Sequence, residues 1–198
     1  MKAAFARWRA APDAPPPGHR PGVTAARVLA DLGAVRDPDG GAGAIAVAAR
    51  LPNGVRVSVA ERVERQFLMH TVSVQVSVAA HGPAGQGHAR ILQTGWLRRT
   101  AIAAEPSPRC DPAFVRIMSA IVAQPALADA LRPLHVTDCT ITARDGRWTL
   151  AVVPFGGSEV VNRMPSFRRY VRLTGEQAAA LSAALAAFET ALRGILRG

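Results

Sequence analysis

The stretch TVSVQVSVAA, residues 71–80, decides the fold class of this chain of 198 residues. It places Val72, Val74, Val76 and Val78 in alternation with threonine, serine and glutamine, which is a period of two. Such alternation is typical of a strand that buries one face and leaves the other in water. The stretch therefore predicts one strand of an antiparallel sheet with one covered face.

The neighbouring segments predict further strands. AIAVAARL (44–51) meets VRVSVAERV (55–63) across Asn53-Gly54, a dipeptide that tolerates the positive φ of a tight hairpin. HGPAGQG (81–87) then turns the chain into HARILQTGWL (88–97). These strands and the opening stretch follow one another directly, so they predict a meander of four strands.

A second hairpin lies later in the chain. HVTDCTITA (135–143) and RWTLAVVPF (147–155) are joined by Asp145-Gly146, which is typical of a tight turn. Strands that are consecutive and joined by hairpins, instead of alternating with helices, indicate an α+β fold with an antiparallel sheet. Trp148 shares the parity of Leu150 and Val152, so we expect it in the core or on the sheet surface.

Capping residues mark the predicted helices. Thr24 is expected to cap the first helix, and Asp111-Pro112 starts a second one, followed by a short helix in residues 126–134. Thr174 and Gln177 form a capping box at the start of the last helix, which has a clean apolar stripe.

These elements predict one two-layer domain over residues 23–198, in which the sheet packs against the helices. Residues 1–22 are rich in proline and are expected to form a flexible arm. The predicted core combines the apolar faces of the strands and of the last helix. Its members are Val72, Val74, Val76, Val78, Ile141, Leu150, Val152, Leu181, Leu185 and Phe188.

The composition bounds the class of protein. An apolar fraction of 49% excludes a disordered chain, and a formal net charge of +10 attracts polyanions. Lys2 is the only lysine, so the arginine excess has a competing explanation in GC-rich coding. The two cysteines have no CxxC spacing, and neither a signal-peptide core nor a long apolar stretch is evident. We expect a cytoplasmic protein with no membrane partner.

Patterns associated with chemistry are incomplete. The glycines at 40, 41 and 43 lack the strand, helix and lysine of a phosphate loop, which favours a plain turn. His81 and His88 flank a turn but are too few for a metal site, so we expect no metal and no cofactor. Cys110 precedes a helix start that could lower its pKa, although a half-buried capping position is favoured. Glu61 and Glu64 lie beside arginines and suggest surface ion pairs.

The segment FGGSEVVNRMPSFRRYVRLT (155–174) is the candidate site. It holds four arginines and three aromatic residues, with no acid between Glu159 and Glu176. In an extended chain Arg168, Tyr170 and Arg172 would share one outward face, suited to phosphates or unstacked bases. The other face would hold Arg169 among Phe167, Val171 and Leu173, and Gly156 and Gly157 could form an anion nest. The predicted ligand-binding residues are Arg163, Arg168, Arg169, Tyr170 and Arg172.

The residues VAERVERQFLMHTV, GWLRRT and SEVVNRMPSFRRYVRLT resemble a bacterial family of uncharacterised proteins, domain-of-unknown-function family 3156. The resemblance covers roughly residues 45–190, a length that matches one domain. It implies a bacterial cytoplasmic protein and supplies no activity, catalytic residue or cofactor. The order of elements is also similar to that of small dimeric secretion chaperones, which are typically acidic, unlike this chain.

Three functions therefore stay open. The first is a non-enzymatic binding or regulatory module that receives an anionic ligand or nucleic acid at residues 163–172. The second is an enzyme with an unrecognised site that uses Cys110 or His70. The third is a chaperone-like homodimer that uses the sheet or the last helix. A solvated edge strand, on which charge discourages aggregation, competes with the first explanation of the arginines.

Overall fold

The computed structural model of the chain describes residues 16, 18–38, 46–94 and 101–197. The helices are α1 (Val23–Asp31), α2 (Pro112–Val122), α3 (Pro125–Leu131) and α4 (Gly175–Arg197). The strands are β1 (Val35–Arg36), β2 (Ala46–Arg50), β3 (Arg56–Arg65), β4 (Met69–His81), β5 (Gly87–Thr94), β6 (Ala101–Pro106), β7 (Val136–Arg144), β8 (Arg147–Pro154), β9 (Ser158–Arg163) and β10 (Ser166–Val171). The first part of the predicted arm and the glycines at 40, 41 and 43 lie outside the described residues.

All ten strands belong to one antiparallel sheet, so the predicted α+β fold is confirmed. Its main order is β1-β2-β3-β4-β8-β7-β5-β6. The long strand β4 has two partners on one side. Its first residues pair with β9, as Val72 does with Glu159, and its last residues pair with β8, as Val76 does with Val152. The β9–β10 hairpin thus extends the sheet beside the start of β4.

The path after β4 differs from the predicted four-strand meander. β2, β3 and β4 form a meander, but β5 pairs with β7, so the second hairpin is inserted between β4 and β5. The connecting loop explains this, because its glycines lie against aromatic rings. A Cβ at Gly82 would be 2.6 Å from the Trp148 ring, and Gly87 lies against Phe114. The loop is therefore packed over β8 instead of forming a tight turn back onto β4.

The core lies between the helices and one face of the sheet, and all ten predicted core residues are buried. Trp148 is fully buried, as its parity indicates, and it stacks on Phe114 with ring centroids 5.2 Å apart. Its indole Nε1 donates to the carbonyl oxygen of Pro83 at 2.8 Å. The ring of Trp148 is thus packed against another aromatic ring, and its only side-chain polar atom is hydrogen-bonded.

Two of the predicted caps are confirmed, and one is wrong. Asp111 accepts a hydrogen bond from the backbone of Phe114, and Thr174 and Gln177 bond reciprocally to each other's backbone N–H. Thr24 is buried inside α1, whose N-cap is Gly22 with φ 78°. Glu61 on β3 replaces the missing cap, because its carboxylate accepts from the N–H of Gly22 and of Ala25 at 2.9 Å each.

The last helix is long and apolar enough to cross a membrane by length and hydropathy, and so is the bent pair of α2 and α3 if it is taken as one span. In this fold α4 packs on α3 and β4, and its stripe of Leu181, Leu185, Phe188 and Leu192 is fully buried. The core therefore accounts for this stripe, while 33% of the apolar window of α4 as a whole is buried.

Candidate functional site

The β9–β10 hairpin is held against α1 by Asp31, the last residue of that helix. The Tyr170 hydroxyl donates to Asp31 Oδ2 at 2.9 Å, and Arg172 Nε donates to Asp31 Oδ1 at 2.7 Å. The backbone N–H of Leu173 lies 3.3 Å from the same carboxylate. Burial and this hydrogen bond raise the pKa of the Tyr170 hydroxyl. One carboxylate of α1 therefore fixes the end of β10.

Glu159 forms a second, more deeply buried contact between the same elements. Its side chain is 2% exposed, and its two oxygens bind Arg27 of α1 and Arg168 of β10, each at 3.0 Å. Arg168 also donates to the carbonyl oxygen of Gly18. The guanidinium of Arg27 lies 5.2 Å from the centre of the Tyr170 ring. A buried carboxylate with two guanidinium partners is satisfied, whereas the loss of either partner would leave charge unbalanced.

These contacts revise the picture of an outward Arg-Tyr-Arg row. Arg168, Tyr170 and Arg172 do alternate onto one face, but that face lies against α1, where Tyr170 and Arg172 bind Asp31 of α1 and Arg168 binds Glu159 of β9. The opposite face is the exposed one: Arg169 is exposed, and Phe167 is 46% exposed instead of packed inward. Of the expected inward set, only Leu173 is buried.

Two of the predicted arginines remain open. Arg163 ends β9 and Arg169 lies in β10, and neither has a carboxylate within ion-pair distance among the residues that the structure describes. Their side chains project from opposite faces of the hairpin, because Arg163 has the parity of Val161 and Arg169 pairs with Val160. Arg172 is intermediate, since it binds Asp31 while 79% of its side chain stays exposed. The five predicted residues thus divide into anchoring and open positions.

Two histidines lie next to Glu159 and Arg168: His19, in the segment before α1, and His70, in β4. The rings of His19 and His70 meet edge to face with centroids 6.4 Å apart, and His19 Nε2 lies 3.7 Å from Glu61 Oε2. His70 is 3% exposed, and its Nε2 has no hydrogen-bond partner in the described part of the chain. Burial, followed by the positive charges of His19 and Arg168, lowers the pKa of His70. The neutral imidazole is therefore the form that this fold favours.

This burial predicts a loss of stability in acid. The unfolded state binds a proton at His70 near its ordinary pKa of 6.5, whereas the folded state resists it. The contribution of neutral His70 to stability is therefore fully present above that pH and falls as the pH drops toward the lowered pKa of the folded state. Thermal melts should show a smaller acid-induced decrease in Tm for His70→Leu than for wild type. The exposed His135→Leu is the matched control, and an equal decrease in all three proteins would contradict the prediction.

The two glycines and both cysteines are held by burial or by backbone contacts. Gly156 and Gly157 are buried, and the N–H of Gly157 donates to the carbonyl of Val171 at 2.6 Å, so they form no open anion nest. Burial raises the pKa of Cys139 to about 12, which removes its thiolate at neutral pH. Cys110 Sγ contacts the backbone of His88, at 3.3 Å from its N and 3.2 Å from its O. Within the described ranges, no three His, Cys, Asp or Glu side chains are placed to hold a metal ion.

A second polar group lies on the sheet face opposite the helices. Asp138 binds Arg62 at 3.0 Å and lies 3.6 Å from Arg90 Nε, in an open groove of about 480 Å³. The expected surface pairing of Glu61 and Glu64 with their neighbouring arginines is therefore wrong for Glu61 and for Arg62. Glu61 binds the start of α1, whereas Arg62 binds Asp138 of β7. The two side chains cannot pair because neighbouring residues of a strand point to opposite faces.

Comparison with known proteins finds a family of the same sequence type. A family model described as "Protein of unknown function (DUF3156)" matches residues 40–192, which includes the hairpin, β3, β4 and most of α4. No curated protein and no solved structure matches the chain.

Proposed function

We propose that this chain, which belongs to the protein family DUF3156, is a non-enzymatic binding or regulatory module that receives an anionic partner at its β9–β10 hairpin. The observation that carries the proposal is the uneven pairing of the hairpin arginines. Arg168 and Arg172 bind acids of their own chain, whereas Arg163 and Arg169 are exposed and lack a carboxylate partner among the described residues. Exposed guanidinium groups offer two parallel donors to a phosphate or carboxylate.

The other predicted residues support the site by positioning it. Arg168 and Tyr170 bind Glu159 and Asp31, so they hold the hairpin against α1 and the core. Arg172 serves both purposes, because its Nε is bound and most of its side chain is exposed. A partner would therefore meet arginines on a hairpin whose orientation is already set, which lowers the entropy lost on binding.

An enzyme that uses Cys110 or His70 is the competing proposal, and the geometry favours it less. His70 is 3% exposed beneath His19, so a substrate would have to displace residues 18–22 to reach it. The hydrogen-bond partners of the Cys110 sulfur in the described chain are the backbone N–H and carbonyl of His88, and neither is a base. A nucleophile and its base need to be within hydrogen-bond reach.

A chaperone-like homodimer that uses the sheet or the last helix is the third proposal. The apolar stripe of that helix is fully buried in the core of the same chain, so a dimer would use the sheet or another face of the helix. A homodimeric partner and a cytoplasmic location stay predictions from the sequence.

The salt dependence of polyanion binding tests the proposal. Binding of heparin or duplex DNA should weaken as salt rises, with each phosphate contact on a duplex adding ~0.9 to the log–log slope. Arg163→Ala combined with Arg169→Ala should reduce that slope by about 1–2 and leave Tm unchanged, since both side chains are exposed. Fluorescence anisotropy across a salt series measures the slope.

The matched control is Arg56→Ala with Arg147→Ala, which removes the same charge from exposed strand positions elsewhere in the sheet. If the two double variants lose affinity and slope equally, binding follows net charge and the hairpin is not the site. An unchanged slope in the hairpin variant would also refute the proposal.

A further inference from the structure

The tips of two hairpins meet at one end of the sheet. β3 and β4 turn at residues 66–68, β9 and β10 turn at 164–165, and the backbone N–H of Arg163 donates to the carbonyl of Leu68 at 2.9 Å. Met69 pairs with Asn162 in the adjoining strands, which fixes the two turns side by side. We call residues 65–69 and 162–167 the paired tips.

The paired tips expose apolar side chains together. Phe67 is 76% exposed, Met164 74%, Phe167 46% and Leu68 40%. These are four of the nine large hydrophobic residues that the described chain exposes, while Val35, Phe155 and Leu196 are spread over other elements. Single exposed hydrophobic residues are normal on a protein surface, but a contiguous group marks an interaction site.

The charge around these side chains is positive. Residues 65–69 and 162–167 contain Arg65 and Arg163 and no acid. Just outside them, Arg169 lies farther back in β10 and Glu64 directly precedes Arg65, so the net charge stays positive. Arg163 and Arg169 are on opposite faces of their hairpin, so a flat partner lying against one face would meet only one of them. A surface that the tips approach end-on could be reached by both long side chains.

From these observations we infer that the paired tips dock onto an anionic lipid bilayer, with the apolar tips entering the interface and the arginines contacting headgroup phosphates. The inference rests on the proposed function and names the partner of the same site. Proteins that bind at the interface place Phe and Leu at the acyl boundary and basic residues at the anionic headgroups. The expectation of no membrane partner came from the lack of a spanning stretch in the sequence, and docking at the surface needs none.

Other occupants fit the tips less well. A second copy of the chain would bring the same arginines face to face, which like-charge repulsion disfavours. Single-stranded nucleic acid stacks on aromatic rings, which suits Phe67 and Phe167 but leaves the exposed side chains of Leu68 and Met164 unused. A bilayer uses all four side chains and the positive charge.

Vesicle flotation with the full chain tests the inference. The wild type should bind vesicles of phosphatidylcholine and phosphatidylserine at about a 2:1 ratio, and should bind phosphatidylcholine alone far less. Phe67→Ser with Met164→Ser should lower partition at least about tenfold, because partition follows the apolar area buried. The same variant should keep the heparin affinity of the wild type, whereas Arg163→Ala with Arg169→Ala should lose both.

The control variant is Val35→Ser with Phe155→Ser, which removes side chains that are 71% and 56% exposed away from the tips and should bind vesicles like the wild type. If either tip substitution disturbs folding in a thermal melt, Phe167→Ser replaces it.

Binding to heparin without binding to anionic vesicles would overturn the bilayer inference and leave the proposed function standing. A tip variant that lost single-stranded DNA but kept vesicles would overturn it in favour of nucleic acid. If the wild type binds neither heparin nor anionic vesicles, both proposals are refuted.

Discussion

Replacing Phe188 with alanine is expected to lower the free energy of unfolding by roughly 3–5 kcal/mol, as for other fully buried aromatic side chains. Phe188 is 0% exposed and belongs to the stripe through which α4 packs on the sheet. Its removal deletes apolar contact with the core and leaves a cavity that the rigid sheet can fill only in part. For a chain of this length the Tm should fall by about 10 °C, which calorimetry or a circular dichroism melt measures.

Leu196→Ala is the matched control on the same helix. Leu196 is 52% exposed, so its truncation should change the unfolding free energy by less than about 0.5 kcal/mol. Comparable losses in the two variants would mean that destabilisation comes from helix composition and not from docking. An unchanged Tm in Phe188→Ala would show that α4 does not pack on the sheet as described.

Local patterns predicted most of this fold because they reflect local physics. The alternation of Val72 to Val78 identified the central strand, and the turns at Asn53-Gly54 and Asp145-Gly146 identified both hairpins. The Thr174–Gln177 capping box lies at the start of α4, as the side-chain spacing indicates. Each of these features depends on residues within a few positions of one another.

The order of the strands in the sheet depends on contacts between distant segments, which no local pattern encodes. The same holds for strands that the sequence did not predict. The placement of β5 beside β7 follows from the packing of a glycine-containing loop on Trp148 and Phe114, which are distant in sequence. β6 has the sequence AIAAEP, which lacks clear alternation of apolar and polar residues. Among the described strands β6 pairs with β5, at the end of the main strand order.

The ion pairs of the candidate site also could not be predicted from local sequence. Counting acids along residues 160–175 leaves four arginines without a counter-ion, yet Asp31 contacts Arg172 across 141 positions of sequence. The distance of Glu159 from Arg168 is only nine positions, and the hairpin places it across from Tyr170 in the neighbouring strand. Alternation correctly grouped Arg168, Tyr170 and Arg172, but only the fold determines that this group faces α1.

Removing the buried carboxylate of Glu159 is therefore expected to be the most destabilising change at the site. Glu159→Gln keeps the size of the side chain but leaves Arg27 and Arg168 without their shared counter-ion. Breaking a fully buried pair costs about 3–5 kcal/mol, and the partial exposure of both guanidinium groups lowers the expected loss to about 2–3 kcal/mol. Urea unfolding measures this loss as a shift of the midpoint without a change in m.

A matched surface pair separates burial from simple charge pairing. Asp129→Asn breaks the pair with Arg132, which has the same 3.0 Å separation but a carboxylate that is 64% exposed, and should cost less than about 1 kcal/mol. Combining Glu159→Gln with Arg168→Met should cost less than the sum of the single changes, because the unbalanced charge at Arg168 is gone. Strict additivity, or equal losses in Glu159→Gln and Asp129→Asn, would show that Glu159 does not anchor the hairpin. In that case Arg168 would be as available to a partner as Arg163 and Arg169.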